Sequence, residues 1–217
     1  ILAHFGIKQI QENPRVGIRS FVSQIKRKLN VSDLVFIIAP RINGAGRIKH
    51  GSHAVALLLS EDIEEALSRS RAIELYNSER KELDQKITLQ ALDQIKQNQE
   101  EEMYSTVVFQ PDWHKGVVGI VASRLIETHY RPTVVFAASG DHYTGSVRSV
   151  KGVDVYHILA ACKEHIVQFG GHRYAAGLTI KPEDYLSFKK AFESAVEQHI
   201  TPEQRIPSMG YDLEMSL

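Results

Sequence analysis

Apolar residues change their period along this chain at about residue 103. Before it they recur every three or four positions, as on one face of a helix; after it they come in short β-branched runs divided by helical stretches. Leu2 to Leu29 carries two helical patterns broken at Asn13-Pro14, with Lys8, Arg15, Arg19, Lys26, Arg27 and Lys28 turned outward as a solvated or polyanion-touching face. The run LVFIIAP, Leu34 to Pro40, reads as a buried strand or a short helix stopped by proline. It leads into PRINGAGR, whose small residues predict a loop. From Ser52 the pattern turns helical and stays so, through Val55, Leu58, Ile63, Leu67, Ile73, Leu83, Ile87 and Ile95. Between Glu61 and Glu102, Glu, Lys, Gln and Arg far outnumber core residues, the mark of a long exposed helix bridging two domains.

Beyond Met103 strands and helices alternate. Tyr104 to Gln110 predicts a buried strand, Pro111 to Lys115 a loop, and Gly116 to Tyr130 a helix whose valines and isoleucines need a sheet to cover. Strands follow at Thr133 to Ala138 and Asp141 to Ser149, then a helix from Asp154, its N-cap, to Gln168. A Gly-Gly-His loop, the strand Ala175 to Ile180 and a helix from Glu183 to His199 complete an α/β layer domain. Met209 to Leu217 alternates like one more strand.

Composition narrows the chemistry. Lys plus Arg and Asp plus Glu each number 26 in the 217 residues, so no global positive field advertises nucleic acid and a phosphate site must rest on a local cluster. The chain starts at Ile1 inside a helical pattern, which reads as a piece of a longer protein. Cys162, the single cysteine, sits in the apolar run HILAAC and reads as a buried, reduced thiol. No apolar run approaches the roughly 20 residues of a membrane span. Cytoplasm is the expected location.

Four places could hold an anion. In FGGHRYAAGL, Gly170 and Gly171 lack a Cβ, so a ligand can approach their N–H groups, and His172 adds a donor; the same pair also suits a plain helix stop. Arg41 and Arg47 flank the Asn-Gly-Ala-Gly segment, either as guanidinium groups for a phosphate or as exposed arginines on a turn. Ser146 and Arg148, two residues apart on a strand, share a face that Val147 does not, which places a hydroxyl beside a guanidinium. Trp113 and His114 open a helix, where main-chain N–H groups favour anions, although packing and a structural hydrogen bond explain them as well. The remaining histidines have no ligand spacing. HExxH, Walker A and cysteine-pair motifs are absent, as is any tight Asp/His constellation for a two-metal site.

PRINGAGR, WHKGVVGIVASRLIETHYRPTVVF, GSVRS and FGGHRYAAGL, in this order, resemble the RecJ-type single-stranded-DNA-specific exonucleases of the DHH phosphoesterase superfamily. The resemblance runs from about Ile1 to Ile200. It implies residues 1–60 as the end of the DHH catalytic domain, 61–102 as the linking helix and 103–200 as the DHH-associated α/β domain, a mixed sheet flanked by helices. Residues 201–217 would be a linker and the first strand of an OB-fold. The metal-binding aspartates and the Asp-His-His motif would lie upstream of Ile1, so Mn²⁺ or Mg²⁺ belongs to the full-length enzyme and none to this piece. Arg41, Arg47, Ser146, Arg148, Gly170, Gly171 and His172 would hold single-stranded DNA, with Trp113 and His114 as accessories and a helicase or single-strand-binding protein as partner. The family degrades single-stranded DNA from the 5′ end in repair and recombination. Two residues depart from its pattern: Lys115, where Pro or Gln is expected, and Val147, where the pattern is Gly-Ser-Gly-Arg-Ser.

Two other readings share parts of these motifs. A DHH-family phosphodiesterase of short oligonucleotides or cyclic dinucleotides would have the Gly-Gly-His clamp without PRINGAGR. A non-catalytic RNA-binding module, like the related domain of alanyl-tRNA synthetases, would not need the long helix.

Overall fold

The computed structural model describes residues 1–23 and 25–213. The chain forms two compact units, Ile1–Leu83 and Asp84–Leu217.

The first unit is helical. Helix α1 (Leu2–Glu12) ends where Asn13 leaves the helical region before Pro14, and α2 (Val16–Val22) follows. The short α3 (Val31–Asp33) is nucleated by a capping box in which Asn30 Oδ1 accepts from Asp33 N at 3.1 Å and Asp33 Oδ2 accepts from Asn30 N at 2.9 Å. Arg27 closes on the Asp33 carboxylate with two bonds of 2.6 and 2.8 Å. Leu34–Ile38 then forms a π-type turn and runs on into α4 (Ala39–Ile48). LVFIIAP is thus the helical alternative, and Pro40 does not stop it: the proline lies in the first turn of α4, behind a widened turn that absorbs its ring and missing donor. The expected loop in PRINGAGR is likewise a helix. Its small residues serve packing, since a Cβ on Gly44 would stand 3.3 Å from the Asn77 Cα. The helical pattern from Ser52 breaks once, between α5 (Ser52–Leu58) and α6 (Ile63–Gln97). Phe21, Ile38, Ala45, Leu57, Ala66 and Ile73 form the core.

The second unit is a mixed α/β layer. Its strands are β1 (Thr106–Gln110), β2 (Thr133–Ser139), β3 (His142–Arg148), β4 (Gln168–His172) and β5 (Ala175–Ile180), in the sheet order β1-β2-β3-β5-β4. Only β1 and β2 are parallel, joined through α7 (Val118–Thr128); the other neighbours are antiparallel. The other face carries α8 (Val155–Ala161), capped by Asp154, and α9 (Tyr185–His199), which pack Ile158, Leu159, Phe188 and Phe192 onto Val134, Phe136, Val147 and Leu178.

Here the structure corrects the sequence reading. The helix expected from Asp154 to Gln168 ends at Ala161, and one 3₁₀ turn at Lys163–His165 leads straight into β4. Gly-Gly-His is therefore an edge strand, not a loop. The ladder offered by β5 outweighs the weak helical tendency of a segment with two glycines: Val167 N donates to Thr179 O at 2.9 Å, and pairing continues to His172↔Ala175.

Buried and half-buried polar groups fasten the pieces of this unit together. Arg131 Nε donates to Thr106 Oγ1 (2.7 Å), and its two terminal nitrogens donate to the carbonyls of Glu100, Glu101 and Met103 at 2.7 to 2.8 Å. Glu193 on α9 accepts from the main-chain N–H of Tyr104 and of Ser105, each at 2.8 Å. The Gln94 side chain donates to Phe109 O at 3.1 Å and accepts from Phe109 N at 3.2 Å, occupying the outer edge of β1. Cys162 is buried, and burial pushes its thiol up to about 11. Of the strand expected at Met209 to Leu217, residues 209–213 carry no regular structure and 214–217 lie outside the described residues. Among the described residues no helix is long and apolar enough to cross a membrane.

Candidate nucleic-acid interface

Antiparallel pairing fixes what the sheet presents, because directly opposed residues share a face. Ser146 pairs with Gly177, and Gly177 with Gly170; Arg148 pairs with Ala175, and Ala175 with His172; Thr144 pairs with Thr179, and Thr179 with Gln168. Ser146, Arg148, Gly170 and His172 therefore stand on one face, opposite the side where Val147 is buried. The spacing argument for Ser146 and Arg148 is met directly: Arg148 Nη1 donates to Ser146 Oγ at 3.0 Å and to Val147 O at 2.8 Å. A hydroxyl that accepts from a guanidinium becomes a stronger donor through its own proton, so the two groups work together toward an anion.

Helix α7 covers this face over β3. A Cβ on Gly119 would lie 2.9 Å from Ser146 Oγ and 3.0 Å from Arg148 Nη2, so a bare helix residue is what leaves the pair its room. Beyond α7 the floor is backbone, with Gly170 and Gly177 both exposed. A Cβ on Gly170 would meet nothing within 4 Å, and one on Gly177 only Gly145 O at 3.9 Å. Gly171 is a different case. Its φ of +152° and a virtual Cβ 2.4 Å from Ala175 O make glycine a requirement of the hairpin. His172 is exposed, and its Nδ1 accepts from Tyr174 N at 3.4 Å, which in the neutral ring leaves the proton on Nε2 as an outward donor.

The other candidates fall elsewhere. Trp113 is buried and donates from Nε1 to Gln90 Oε1 at 2.9 Å, a packing role. His114 Nδ1 accepts from Gly116 N at 3.1 Å ahead of α7. Arg41 and Arg47 belong to the first unit. Arg41 pairs with Glu74 and donates to Ile37 O at 2.7 Å, and Arg47 lies in the last turn of α4 beside a depression of about 580 Å³ lined by Asn43, Gly46 and Gly51. Among the described residues no three His, Cys, Asp or Glu side chains converge as metal ligands, so this donor set does not fit a two-metal centre.

Sequence reasoning missed Gly119 and Gly177. Gly177 was legible in principle: in FGGHRYAAGL a two-residue turn at Arg173-Tyr174 sets Gly177 against Gly170.

Residues 103–198 match the family model of the DHHA1 domain. Over 218 residues the chain is 33% identical to the single-stranded-DNA-specific exonuclease RecJ of Bacillus subtilis, covering 98% of this chain and 28% of that protein. Nearly the whole of this chain is similar to RecJ. The RecJ of Haemophilus influenzae is 35% identical over 216 residues, 94% of this chain and 37% of its own length. The crystal structure of RecJ in complex with Mn²⁺ from Thermus thermophilus superimposes with a TM-score of 0.83 at 29% identity, over 93% of this chain and 30% of that one; a second structure of that RecJ holds Mg²⁺. The chain thus spans about a third of the RecJ proteins it matches, and the Ser146–Arg148 pair and the glycine floor lie within the stretch that matches the DHHA1 model.

Proposed function

We propose that this chain is the substrate-binding part of a metal-dependent 5′-to-3′ single-stranded-DNA exonuclease of DNA repair and recombination, working in the cytoplasm alongside a helicase or single-strand-binding protein. The observation that carries the reading is the Ser146–Arg148 pair facing a floor of bare glycine backbone, with His172 at its side. Arg148 matches a phosphate with a planar fork, Ser146 adds a polarised hydroxyl, the open backbone of Gly170 lets the anion approach the main chain, and the His172 Nε2 proton orients it. Gly171 contributes the hairpin geometry that holds these groups in place. Arg41 and Arg47 would contact phosphates from the first unit, with His114 as an accessory. Mg²⁺ or Mn²⁺ bound outside this chain would supply the activated water; the residues here bind and orient.

The test uses the full-length protein and 5′-labelled single-stranded DNA. Arg148→Ala and His172→Ala each lower the rate of degradation at least tenfold with an unchanged melting temperature, and wild-type turnover in either variant would overturn the assignment. Activity restricted to di- and trinucleotides would instead favour a short-oligonucleotide phosphodiesterase.

A further inference from the structure

Next to the clamp lies a depression of about 380 Å³ bordered by Thr144, Gln168, Gly170, Gly177 and Thr179. We propose that it seats the base of the nucleotide whose phosphate the Ser146–Arg148 pair holds, and that the Gln168 amide reads that base; the inference rests on the clamp proposed above.

Three observations carry it. The lining, which also includes Phe169 and Leu178, contains no Asp, Glu, Lys or Arg, so the depression suits a neutral group and not a second phosphate. The row Thr144–Thr179–Gln168 is one two-residue step along the strands from the row Ser146–Gly177–Gly170, about 7 Å. That is a phosphate-to-base reach within one nucleotide. The floor is two exposed glycines that the fold does not need: neither takes a positive φ, and a Cβ on either would project into open or nearly open space. What those glycines provide is uncovered peptide at the border between the two rows, so that a base seated over Thr144, Thr179 and Gln168 can lie against its near side while the phosphate stays with the clamp. Along the rim, Gln168 Nε2 reaches Thr179 Oγ1 at only 3.5 Å, the outer limit of a hydrogen bond, so its amide can turn to a base edge at little cost. The cavity falls within the size range of small-ligand sites.

The experiment uses the full-length protein with Gly177→Ala and Gln168→Ala, and single-stranded DNA with an abasic nucleotide placed in turn at each of the first three positions from the degraded end. On normal DNA both variants lose about five- to tenfold in kcat/KM while keeping the wild-type melting temperature. At one abasic position the variants and the wild type become equal within twofold, because the group they recognise is gone. Variants matching the wild type on normal DNA, or an undiminished loss at every abasic position, would overturn the base seat. Arg148→Ala separates the two readings: it loses activity on normal and abasic DNA alike, whereas full activity of Arg148→Ala beside a base-dependent loss in Gly177→Ala would remove the clamp and keep the seat.

Discussion

Gly119 on α7 lies directly over Ser146: a Cβ built on the glycine would stand 2.9 Å from the serine Oγ. The atoms in its way, Ser146 Oγ and Arg148 Nη2, belong to side chains that can swing aside, so Gly119→Ala disturbs the clamp and spares the fold. Alanine in a helix is also favoured over glycine by up to about 1 kcal/mol, which offsets the crowding. The expected outcome in the full-length protein is an unchanged or slightly raised melting temperature with about a tenfold weaker affinity for single-stranded DNA, equivalent to ~1.4 kcal/mol. Unaltered affinity would show that the Ser146–Arg148 geometry does not matter to binding.

Arg131 calls for a stability measurement. Its buried guanidinium reaches four acceptors, three of them carbonyls of the segment leaving α6. Lysine keeps the charge and loses the fork, leaving buried carbonyls without donors. Arg131→Lys is expected to cost about 3 kcal/mol in chemical denaturation. A loss below about 1 kcal/mol, the size of a surface ion pair, would refute that role.

The Asn30–Asp33 capping box makes the first unit sensitive to acid. Asn30 N–H and then Arg27 hold the Asp33 carboxyl below its ordinary value of 3.8. A depressed folded-state value means that the stabilisation is present above the unfolded value and disappears as pH falls through the folded one. Hydrogen exchange across Val31–Ile48 should therefore accelerate as pH drops below about 4, after correction for intrinsic rates. In Asp33→Asn that acid-dependent step is absent.

How much of this was legible in the sequence depended on how local each determinant is. Period two in GSVRS placed Ser146 and Arg148 on one face, and β-branched runs gave β1 and β2, because alternation and propensity act over a few residues. The Gly-Gly-His segment was misread because its strand character comes from β5, and its turn, Arg173-Tyr174, has neither the asparagine nor the glycine that marks a two-residue hairpin. PRINGAGR was misread for the converse reason. Small residues look like a loop until the close approach of Asn77 shows why a helix needs them. Gly119 could not be recognised from its neighbours at all, since the atoms that require it lie far along the chain, on the strand that carries Ser146.

The Gln94 side chain takes the position that a sixth strand would occupy beside Phe109. Because one amide group both donates to and accepts from the β1 backbone, fraying of α6 past Gln94 would break both of these bonds, and so would peeling of β1 at Phe109. Among the described residues the opposite margin of the sheet is β4, an exposed strand, where the glycines are.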